Sequence, residues 1–301
     1  MLTGCNSDIS QDVTAISSED RITVMVGGME FTSYLFGSVH KYPFYYPVVG
    51  PLSGETVTTW DQEPYPHHSS LYVSLDWVRS ENVERGNYWQ PRHELETGQV
   101  FSRDPRILED NGKKVVISDR LEWIVPATGT HHFNEERTVR IWAPSPEVRV
   151  MDFDLEFEVL KDLSVSPTGH SFFSARMRPE IAVGCTDHGP EWAHLGTGTI
   201  VDSQGNRDES GTREKAGDWA AYYGDNGGFV EGLAIIQHPD NSYYPGQWVT
   251  RDYGFFSPSS FCFNAEPVEM RTGQKLSFRY RVVVFAGDHK DARIDYWYRD
   301  F

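Results

Sequence analysis

The stretch Met-Asp-Phe-Asp-Leu-Glu-Phe-Glu-Val, residues 151–159, alternates apolar and acidic residues without interruption. Successive side chains on a β-strand point to opposite faces, so this pattern predicts a strand with one buried face and one face in water. The row of carboxylates is typical of a solvated surface rather than of acid–base chemistry. Residues 275–282 alternate in the same way, which predicts a second strand of the same kind.

The same alternation recurs elsewhere and sets the fold class. Further candidate strands are residues 22–26, 71–77, 115–125 and 138–142. Asn111-Gly112 predicts a hairpin with a type I′ turn, in which both central residues have positive φ. The chain shows no internal repeat and no helical stripe longer than about two turns. These observations predict an all-β protein built as one large antiparallel β-sandwich.

The N-terminal segment differs from the rest. Met-Leu-Thr-Gly-Cys, residues 1–5, resembles the lipobox of bacterial lipoproteins, although the apolar segment that normally precedes it is missing. We therefore expect residues 1–20 to be a flexible tether and residues 21–301 a single domain. A lipid anchor at Cys5 would place the protein in the periplasm or at the outer membrane. Cys185 and Cys262 could pair, but an ordinary buried thiol is the preferred interpretation of each.

Charge and composition exclude several classes of function. With a formal net charge of −17, the chain lacks the basic surface that binding to nucleic acids or anionic membranes requires. No apolar run approaches the roughly 20 residues of a membrane-spanning helix. The cysteines have no CxxC spacing, which argues against a thiolate zinc site.

No short catalytic motif is present, so the candidate chemistry is spread over long segments. Residues 40–68 and 239–263 are predicted to be long loops, and both are rich in aromatic residues. Histidine exchanges protons near neutral pH, arginine pairs with carboxylates or sulfates, and aromatic faces accept sugar rings. This combination indicates an acidic carbohydrate ligand. The candidate histidines could also bind a divalent metal, but no spacing supports one, and we expect no cofactor.

Two longer motifs carry a resemblance. The first is His-Lys-Tyr-Pro-Phe-Tyr-Tyr-Pro-Val-Val-Gly-Pro, residues 40–51, followed by Pro-His-His-Ser-Ser-Leu, residues 66–71. The second is His-Pro-Asp-Asn, residues 238–241, followed by Trp248 and Arg-Asp-Tyr-Gly-Phe-Phe, residues 251–256. The chain resembles the PmoA-like family of unknown function over nearly its whole length. One departure is Ser69, where the family motif His-His-Arg-Ser usually has arginine.

The resemblance implies a galactose-mutarotase-like supersandwich and a role in polysaccharide degradation. The family positions that bear on chemistry are His67, His68, Glu136, Arg137, Arg176, Trp219, His238, Asn241, Trp248, Arg251, Asp252 and Tyr253. We predict a carbohydrate lyase, a dehydratase of uronic-acid-containing oligosaccharides, that needs a base, an acid and a cation for the carboxylate.

The expected roles divide as follows. His68 or His238 is the base, and His132 or Tyr253 is the acid. Arg176 and Arg251 hold the carboxylate, and Trp219 and Trp248 form a sugar platform. His67 and His68 share the rim of the cleft, where one faces the ligand and the other supports the loop. Glu136, Arg137 and Asn241 complete the predicted substrate-binding set.

Three other functions stay open at this point. A sugar mutarotase or epimerase needs an acid and a base across one ring. A non-catalytic carbohydrate-binding protein would use the same aromatic residues. A glycoside hydrolase needs two carboxylates about 5–9.5 Å apart, for which Glu136 and Asp252 are the candidates.

Overall fold

The computed structural model describes residues 10–90, 93–168, 171–184, 196 and 198–301. The strands in chain order are β1 (Val13–Ser17), β2 (Arg21–Val26), β3 (Met29–Leu35), β4 (Phe44–Val48), β5 (Leu71–Leu75), β6 (Val78–Ser80), β7 (Val83–Gly86), β8 (Gln99–Ser102), β9 (Arg106–Asp110), β10 (Lys114–Val125), β11 (Thr130–Ser145), β12 (Val148–Val159), β13 (Leu163–Val165), β14 (Ser171–Arg176), β15 (Thr199–Asp202), β16 (Trp219–Asn226), β17 (Phe229–Gln237), β18 (Gln247–Thr250), β19 (Phe255–Ser259), β20 (Val268–Met270) and β21 (Lys275–Ala286). Two short helices, α1 (Asp208–Thr212) and α2 (Ile294–Arg299), follow β15 and β21 respectively.

The strands form two large antiparallel sheets, and the predicted antiparallel β-sandwich is confirmed. The front sheet has the order β1-β2-β3-β4-β5-β14-β19-β18. The back sheet has the order β15-β16-β17-β21-β12-β11-β10-β8, with β9 also paired to β10. A small sheet, β20-β13-β6-β7, lies beside them. Aromatic rings from both large sheets meet in the core, as Tyr45 and Phe173 do with Phe153.

The alternating stretch of residues 151–159 lies in β12, in the middle of the back sheet. Phe153, Leu155 and Phe157 fill the core. The alternate carboxylates face outward and pair with cations on neighbouring strands, as Asp152 does with Arg281 and Glu158 with Lys275. The acidic row is therefore a cross-strand ion-pair surface that is solvated at Glu156 and Glu158, as predicted, but largely buried at Asp152, whose side chain is 15% exposed.

The turn at Asn111-Gly112 joins β9 to β10 as a hairpin, but its predicted type is wrong. Asp110 pairs with Val115, which leaves residues 111–114 between the paired positions. Of Asn111 and Gly112, which were both predicted to have positive φ, only Gly112 does, at 77°. The Asn111 side chain accepts hydrogen bonds from the backbone N–H groups of Lys113 and Lys114. This side-chain turn replaces the type I′ geometry.

The predicted tether is wrong over part of its length. β1 pairs with β2 along its whole length and forms the edge of the front sheet. The backbone N–H of Gln11 also donates to Ala143 of the back sheet, so the ordered chain begins before residue 21. Cys5 lies outside the described residues, and the lipid anchor and its periplasmic location stay predictions.

The two predicted long loops also contain strands. Residues 40–68 include β4, and residues 239–263 include β18 and β19 at the edge of the front sheet. Pro258 lies within β19, where it has no N–H to donate, and such a residue weakens the sequence signal for a strand. Cys262 is buried, and Cys185 lies outside the described residues.

A buried carboxylate ties the loop after β4 to the back sheet. Glu231 of β17 is fully buried and accepts hydrogen bonds from the N–H groups of Leu52 and Ser53, at 2.6 and 3.1 Å. Its second oxygen accepts from the Ser53 hydroxyl at 2.5 Å and from the Asn226 amide at 2.8 Å. This clamp fixes the start of the segment that carries the histidine pair.

The helices of the described residues are short. None of them is long and apolar enough to cross a membrane. α2 packs on the outer face of the back sheet, where Ile294 and the half-buried Trp297 contact a second apolar cluster that includes Val283 and Phe285.

Candidate functional site

The alternation of side chains along the strands places a candidate site residue on the outer face of the front sheet. On β14, Phe173 points inward and stacks on Tyr280 of the back sheet, with ring centroids 4.5 Å apart. The side chain of Arg176 therefore points outward, because it lies three residues further along the strand. Arg176 is nevertheless fully buried, since loops cover this face of the sheet.

The segment before β5 carries the histidine pair and is hydrogen-bonded to the end of β14. The N–H of Arg176 donates to the carbonyl of Ser70 at 2.7 Å, and the N–H of Thr59 donates to the carbonyl of Arg176 at 2.9 Å. The hydroxyls of Thr58 and Ser70 are 2.7 Å apart. These bonds hold the ends of the His67-His68 segment against the sheet.

The two imidazoles lie within an aromatic cluster. The rings of His67 and His68 are nearly perpendicular, with centroids 4.4 Å apart. His68 is only 4% exposed and stacks on Phe255 at 4.8 Å, and its ring centroid is 5.7 Å from that of Trp89. His67 is half-buried. His68 therefore supports the segment, and His67 is the more accessible of the two.

Two tyrosine rings and a guanidinium lie beside the histidines. Tyr65 and Tyr253 stack with centroids 4.7 Å apart. The Arg176 guanidinium carbon lies 4.7 Å from the centroid of Tyr253 and 5.9 Å from that of Tyr65, and Arg176 also donates to the carbonyl of Tyr253. Burial raises the pKa of the Tyr253 phenol to about 12, and the Arg176 cation opposes that rise. We call Tyr65, His67, His68, Arg176 and Tyr253 the front site.

A cavity of about 290 Å³ adjoins the front site. Tyr42 links the two, because its hydroxyl donates to the carbonyl of His67 at 2.7 Å and lies 3.2 Å from the Ser69 hydroxyl. The lining side chains combine aromatic faces with polar groups: Val39, His40, Lys41, Tyr42, Phe44, Trp60, Asp61, Ser69 and His93. A volume of this size accommodates about one sugar ring.

Lys41 is a buried cation in the wall of this cavity. Its side chain donates to the carbonyl of Glu94 at 2.7 Å and to the Thr97 hydroxyl at 3.0 Å. Burial lowers the pKa of Lys41 to about 8, so the ammonium is charged at neutral pH. It supplies positive charge in the wall of the cavity.

Arg251 lies at the edge of the front site. Its guanidinium donates to Glu209 at 2.6 Å, and it is one of the cations that lower the pKa of Tyr253. Glu209 in turn accepts the N–H of Asp252 at 3.0 Å. Arg251 is 31% exposed at its side chain, so it can be reached from solvent, but a ligand carboxylate would compete with Glu209 for it.

The structure does not bring His132 into this group. His132 is fully buried, where Nε2 lies 2.9 Å from the Ser80 hydroxyl and Nδ1 lies 2.8 Å from the Tyr88 hydroxyl. Burial lowers its pKa to about 4, so the ring is neutral at pH 7. A neutral, fully hydrogen-bonded imidazole in the interior is a structural residue.

His238 and Asn241 lie near the C-terminus, also away from the front site. The Nδ1 atom of His238 lies 2.8 Å from a guanidinium nitrogen of Arg279, and its ring packs edge-on against Phe301. Burial and the Arg279 cation lower the pKa of His238. Asn241 accepts from the backbone N–H of Arg279 and donates to its carbonyl. Both residues support the loop after β17.

Glu136 and Arg137 occupy opposite faces of β11, and neither contributes to the front site. Glu136 is exposed on the outer face of the back sheet. Arg137 points into the core, where it pairs with the buried Glu135 at 2.7 Å. Glu135 also accepts the indole N–H of Trp123 at 2.8 Å, so this ion pair belongs to the interior.

The predicted sugar platform is not formed either. Trp248 is fully buried in the core and packs on Phe256. Trp219 lies on the outer face of the back sheet, where its indole N–H donates to Asp295 at 3.0 Å. The aromatic faces near the histidines belong instead to Tyr65, Trp89 and Trp60. Of these, Tyr65 had a sequence signal, because it lies two residues before His67 in the same proline-bounded stretch.

Within the described parts of the chain, no group of three or more His, Cys, Asp and Glu residues is placed to hold a metal ion. That observation concerns those residues alone, and the absence of a cofactor stays a prediction from the sequence.

Comparisons with known proteins identify a family but no activity. A family profile described as "Family of unknown function (DUF6807)" matches residues 21–298. The comparison with curated proteins gave no match. Among solved structures, the chain is similar to a galactose mutarotase-related enzyme from Lactobacillus acidophilus, with 9% identity, a TM-score of 0.36 and coverage of 92% of this chain and 97% of that one.

Two lyases are also similar. The chain matches a polysaccharide lyase with 11% identity, a TM-score of 0.37 and coverage of 94% of this chain and 33% of that one. It matches a mutant of heparan sulfate lyase HepC from Pedobacter heparinus with 10% identity, a TM-score of 0.33 and coverage of 96% and 37%. Likenesses at these scores carry no argument about activity, and the resemblance to the PmoA-like family stays a prediction.

Proposed function

The chain belongs to the DUF6807 family of unknown function, and from its front site we propose that it is a carbohydrate-active lyase for acidic oligosaccharides. The observation that carries this proposal is the clustering of His67, through its contacts with Tyr65 and His68, with Tyr253 and the cation of Arg176 on one face of the front sheet. His67 supplies a base and Tyr253 an acid, with the Arg176 cation beside that acid, and elimination next to a carboxylate needs in addition a cation for the carboxylate itself.

The proposed reaction is a β-elimination on a uronic acid ring. His67 takes the proton from C5, next to the carboxylate, and the C5–H electrons form a double bond between C5 and C4. The C4–O bond breaks, and its oxygen takes the proton of the Tyr253 hydroxyl. When that oxygen is a free hydroxyl the enzyme is a dehydratase, and the product is lighter by one water. Proton return from the imidazolium through solvent to the phenolate restores both groups.

The protonation state of Tyr253 suits this role. With a pKa of about 12 the phenol is protonated at neutral pH and can donate. The Arg176 cation stabilises the phenolate that forms when the proton leaves. Because Arg176 is fully buried beneath the tyrosine rings, we reassign it from carboxylate binding to the positioning of Tyr253. Arg251 and Lys41 are the cations next to the cleft that could face a carboxylate.

A hydrolase based on Glu136 and Asp252 has less support. Glu136 lies on the outer face of the back sheet, whereas Asp252 adjoins the front site, so the sandwich separates the two carboxylates. A mutarotase or a binding protein could use the same front site, and the experiment below distinguishes both from a lyase.

The test is mass spectrometry of uronic-acid oligosaccharides, saturated and unsaturated, incubated with the wild-type protein, H67Q and Y253F. We expect a product lighter by one water, or chain cleavage without added water, from the wild type. Loss of one catalytic group should slow turnover by about 10²–10⁴-fold. H131Q and Y243F are matched controls, because both residues lie outside the front site, and each should retain full turnover.

Two results would contradict the proposal. Unchanged turnover in H67Q or Y253F would remove that residue from the mechanism. The absence of any mass change with the wild type, accompanied by anomer interconversion or by binding alone, would replace the lyase with an epimerase or a binding protein.

A further inference from the structure

A second polar cleft lies on the opposite side of the sandwich. Between α2 and the end of β15 there is a cavity of about 520 Å³ on the outer face of the back sheet. Its wall includes Trp219, His289, Lys290, Arg293 and Arg299. The front site lies on the outer face of the other sheet, so both layers of the sandwich separate the two clefts.

The cations of this cleft differ from most others in the chain. Arg281 and Lys275, on the same sheet, each pair with a carboxylate. By contrast, no described carboxylate forms an ion pair with Lys290, Arg293 or Arg299. All three side chains are exposed, although the chain as a whole has a net charge of −17. The Asp288 carboxylate interacts electrostatically with Lys290, but three exposed cations without a close ion pair can still contact an anionic ligand.

The two carboxylates in the wall are already engaged by neighbouring groups. Asp295 accepts the indole N–H of Trp219 at 3.0 Å. Asp202 is almost fully buried and accepts the backbone N–H groups of Gln204 and Asn206, at 3.0 and 2.9 Å. Both oxygens of Asp202 are bonded to the protein, since the Asn206 amide donates to the second one at 2.8 Å, and one oxygen of Asp295 is bonded to Trp219.

The cleft continues past α2. Arg293 and Tyr296 also line a neighbouring cavity of about 760 Å³, together with Trp297. Tyr296 is 43% exposed, and the Arg293 guanidinium carbon lies 4.9 Å from its ring centroid. An exposed aromatic face beside cations is suited to a sugar ring that carries a charged group. Two adjoining cavities give room for several rings.

We propose that this α2 cleft is a second binding site, which takes an anionic oligosaccharide without transforming it. The carboxylate or sulfate groups of the ligand contact Lys290, Arg293 and Arg299, and a sugar ring lies on Tyr296. The proposal goes beyond the reaction at the front site, because binding here needs neither His67 nor Tyr253. Such a site holds an acidic polymer on the face opposite the reactive cleft.

The test is a titration of ¹⁵N-labelled protein at low ionic strength, followed at the indole N–H signal of Trp219. That signal is assigned by its loss in W219F. The probes are tetragalacturonate, a sulfated galactan tetrasaccharide and a neutral galactan tetrasaccharide, which separate carboxylate, sulfate and uncharged ligands. We expect the Trp219 signal to shift with at least one acidic probe and not with the neutral one.

The variant K290Q/R293Q should weaken this binding by about tenfold, which corresponds to about 1.4 kcal/mol. The control R271Q/K275Q removes the same charge from two exposed, ion-paired cations elsewhere, and it should change affinity by less than about twofold. H67Q should leave the Trp219 titration unchanged, so that failure of the front-site reaction and failure of this site are distinguishable.

Three outcomes would overturn the proposal. The first is the absence of a Trp219 shift with either acidic probe. The second is equal affinity of the wild type and K290Q/R293Q. The third is an equal response to the neutral tetrasaccharide, which would show that the cations do not select the ligand.

Discussion

The substitution G50A tests whether the buried carboxylate of Glu231 holds the loop that leads to the front site. A Cβ atom at Gly50 would lie 2.0 Å from Oε2 of Glu231 and 3.0 Å from the Asn226 amide nitrogen. Since these distances are far below van der Waals contact, the carboxylate must move. Its bonds to the Ser53 hydroxyl and the Asn226 amide, at 2.5 and 2.8 Å, both reach that oxygen.

The expected cost follows from these two bonds. A hydrogen bond to a charged group contributes about 1.5–3 kcal/mol, so the loss of two should lower the free energy of unfolding by about 3–6 kcal/mol. Urea unfolding measures this quantity, with an unchanged slope as the sign that only stability has changed. G184A is the control, because no atom of the described residues lies within 4 Å of its Cβ position, and it should stay within about 0.5 kcal/mol of the wild type.

A double-mutant cycle tests the cause. In an E231A background the obstructing carboxylate is gone, so G50A should cost at least about 1.5 kcal/mol less than in the wild type. An equal cost in both backgrounds would refute the role of Glu231. A wild-type-like stability of G50A would refute the steric argument itself.

Three further predictions address ionisable groups. R176M should raise the pKa of Tyr253 further, because the guanidinium lowers that pKa, whereas R176K should keep the pKa close to its original value. A ¹³C-tyrosine NMR titration measures the pKa in both variants. An unchanged pKa in R176M would contradict the positioning role of Arg176. His132 has a folded pKa of about 4, below its unfolded value, so it contributes stability above pH 6.5 that is lost as the pH falls towards 4. Between pH 7 and pH 5 that loss is about 2 kcal/mol, and urea unfolding of H132Q should show a correspondingly shallower pH dependence than the wild type. E135Q leaves the buried Arg137 without its carboxylate and should lower the free energy of unfolding by about 3 kcal/mol. The double variant E135L/R137M, which removes both charges, should recover most of that stability. Equal stability of E135Q and the wild type would contradict the ion-pair argument.

The sequence predicted the fold class because alternation is a local property. In β12 and β21 the period of two residues identifies both the strand and its buried face. The short strands β18 and β19 escaped this reasoning, because four or five residues with a proline give little periodicity. The ordered start of the chain was missed for a different reason, since β1 forms through pairing with β2 rather than through its own pattern.

The front site was predicted in part, and the errors have a physical cause. His67, His68, Arg176 and Tyr253 do converge, but His238 and Trp219 belong to the other sheet, and sequence alone does not show which sheet a residue joins. Arg137 could have been placed correctly. It has the same parity as Phe133, Val139 and Ile141 along β11, which predicts an inward side chain despite its charge.

Strand β14 carries both core residues and a residue of the front site, and this limits how the protein can evolve. Phe173 and Ala175 fill the core, whereas Arg176 contacts the rings of the front site, so the deletion of one residue between Phe173 and Arg176 would turn Arg176 towards the core. Such a change would remove core packing and the front site in a single genetic event. Insertions and deletions among descendants should therefore accumulate in the connections, and new specificities should arise from loop length and outward-facing substitutions while the strand lengths stay constant.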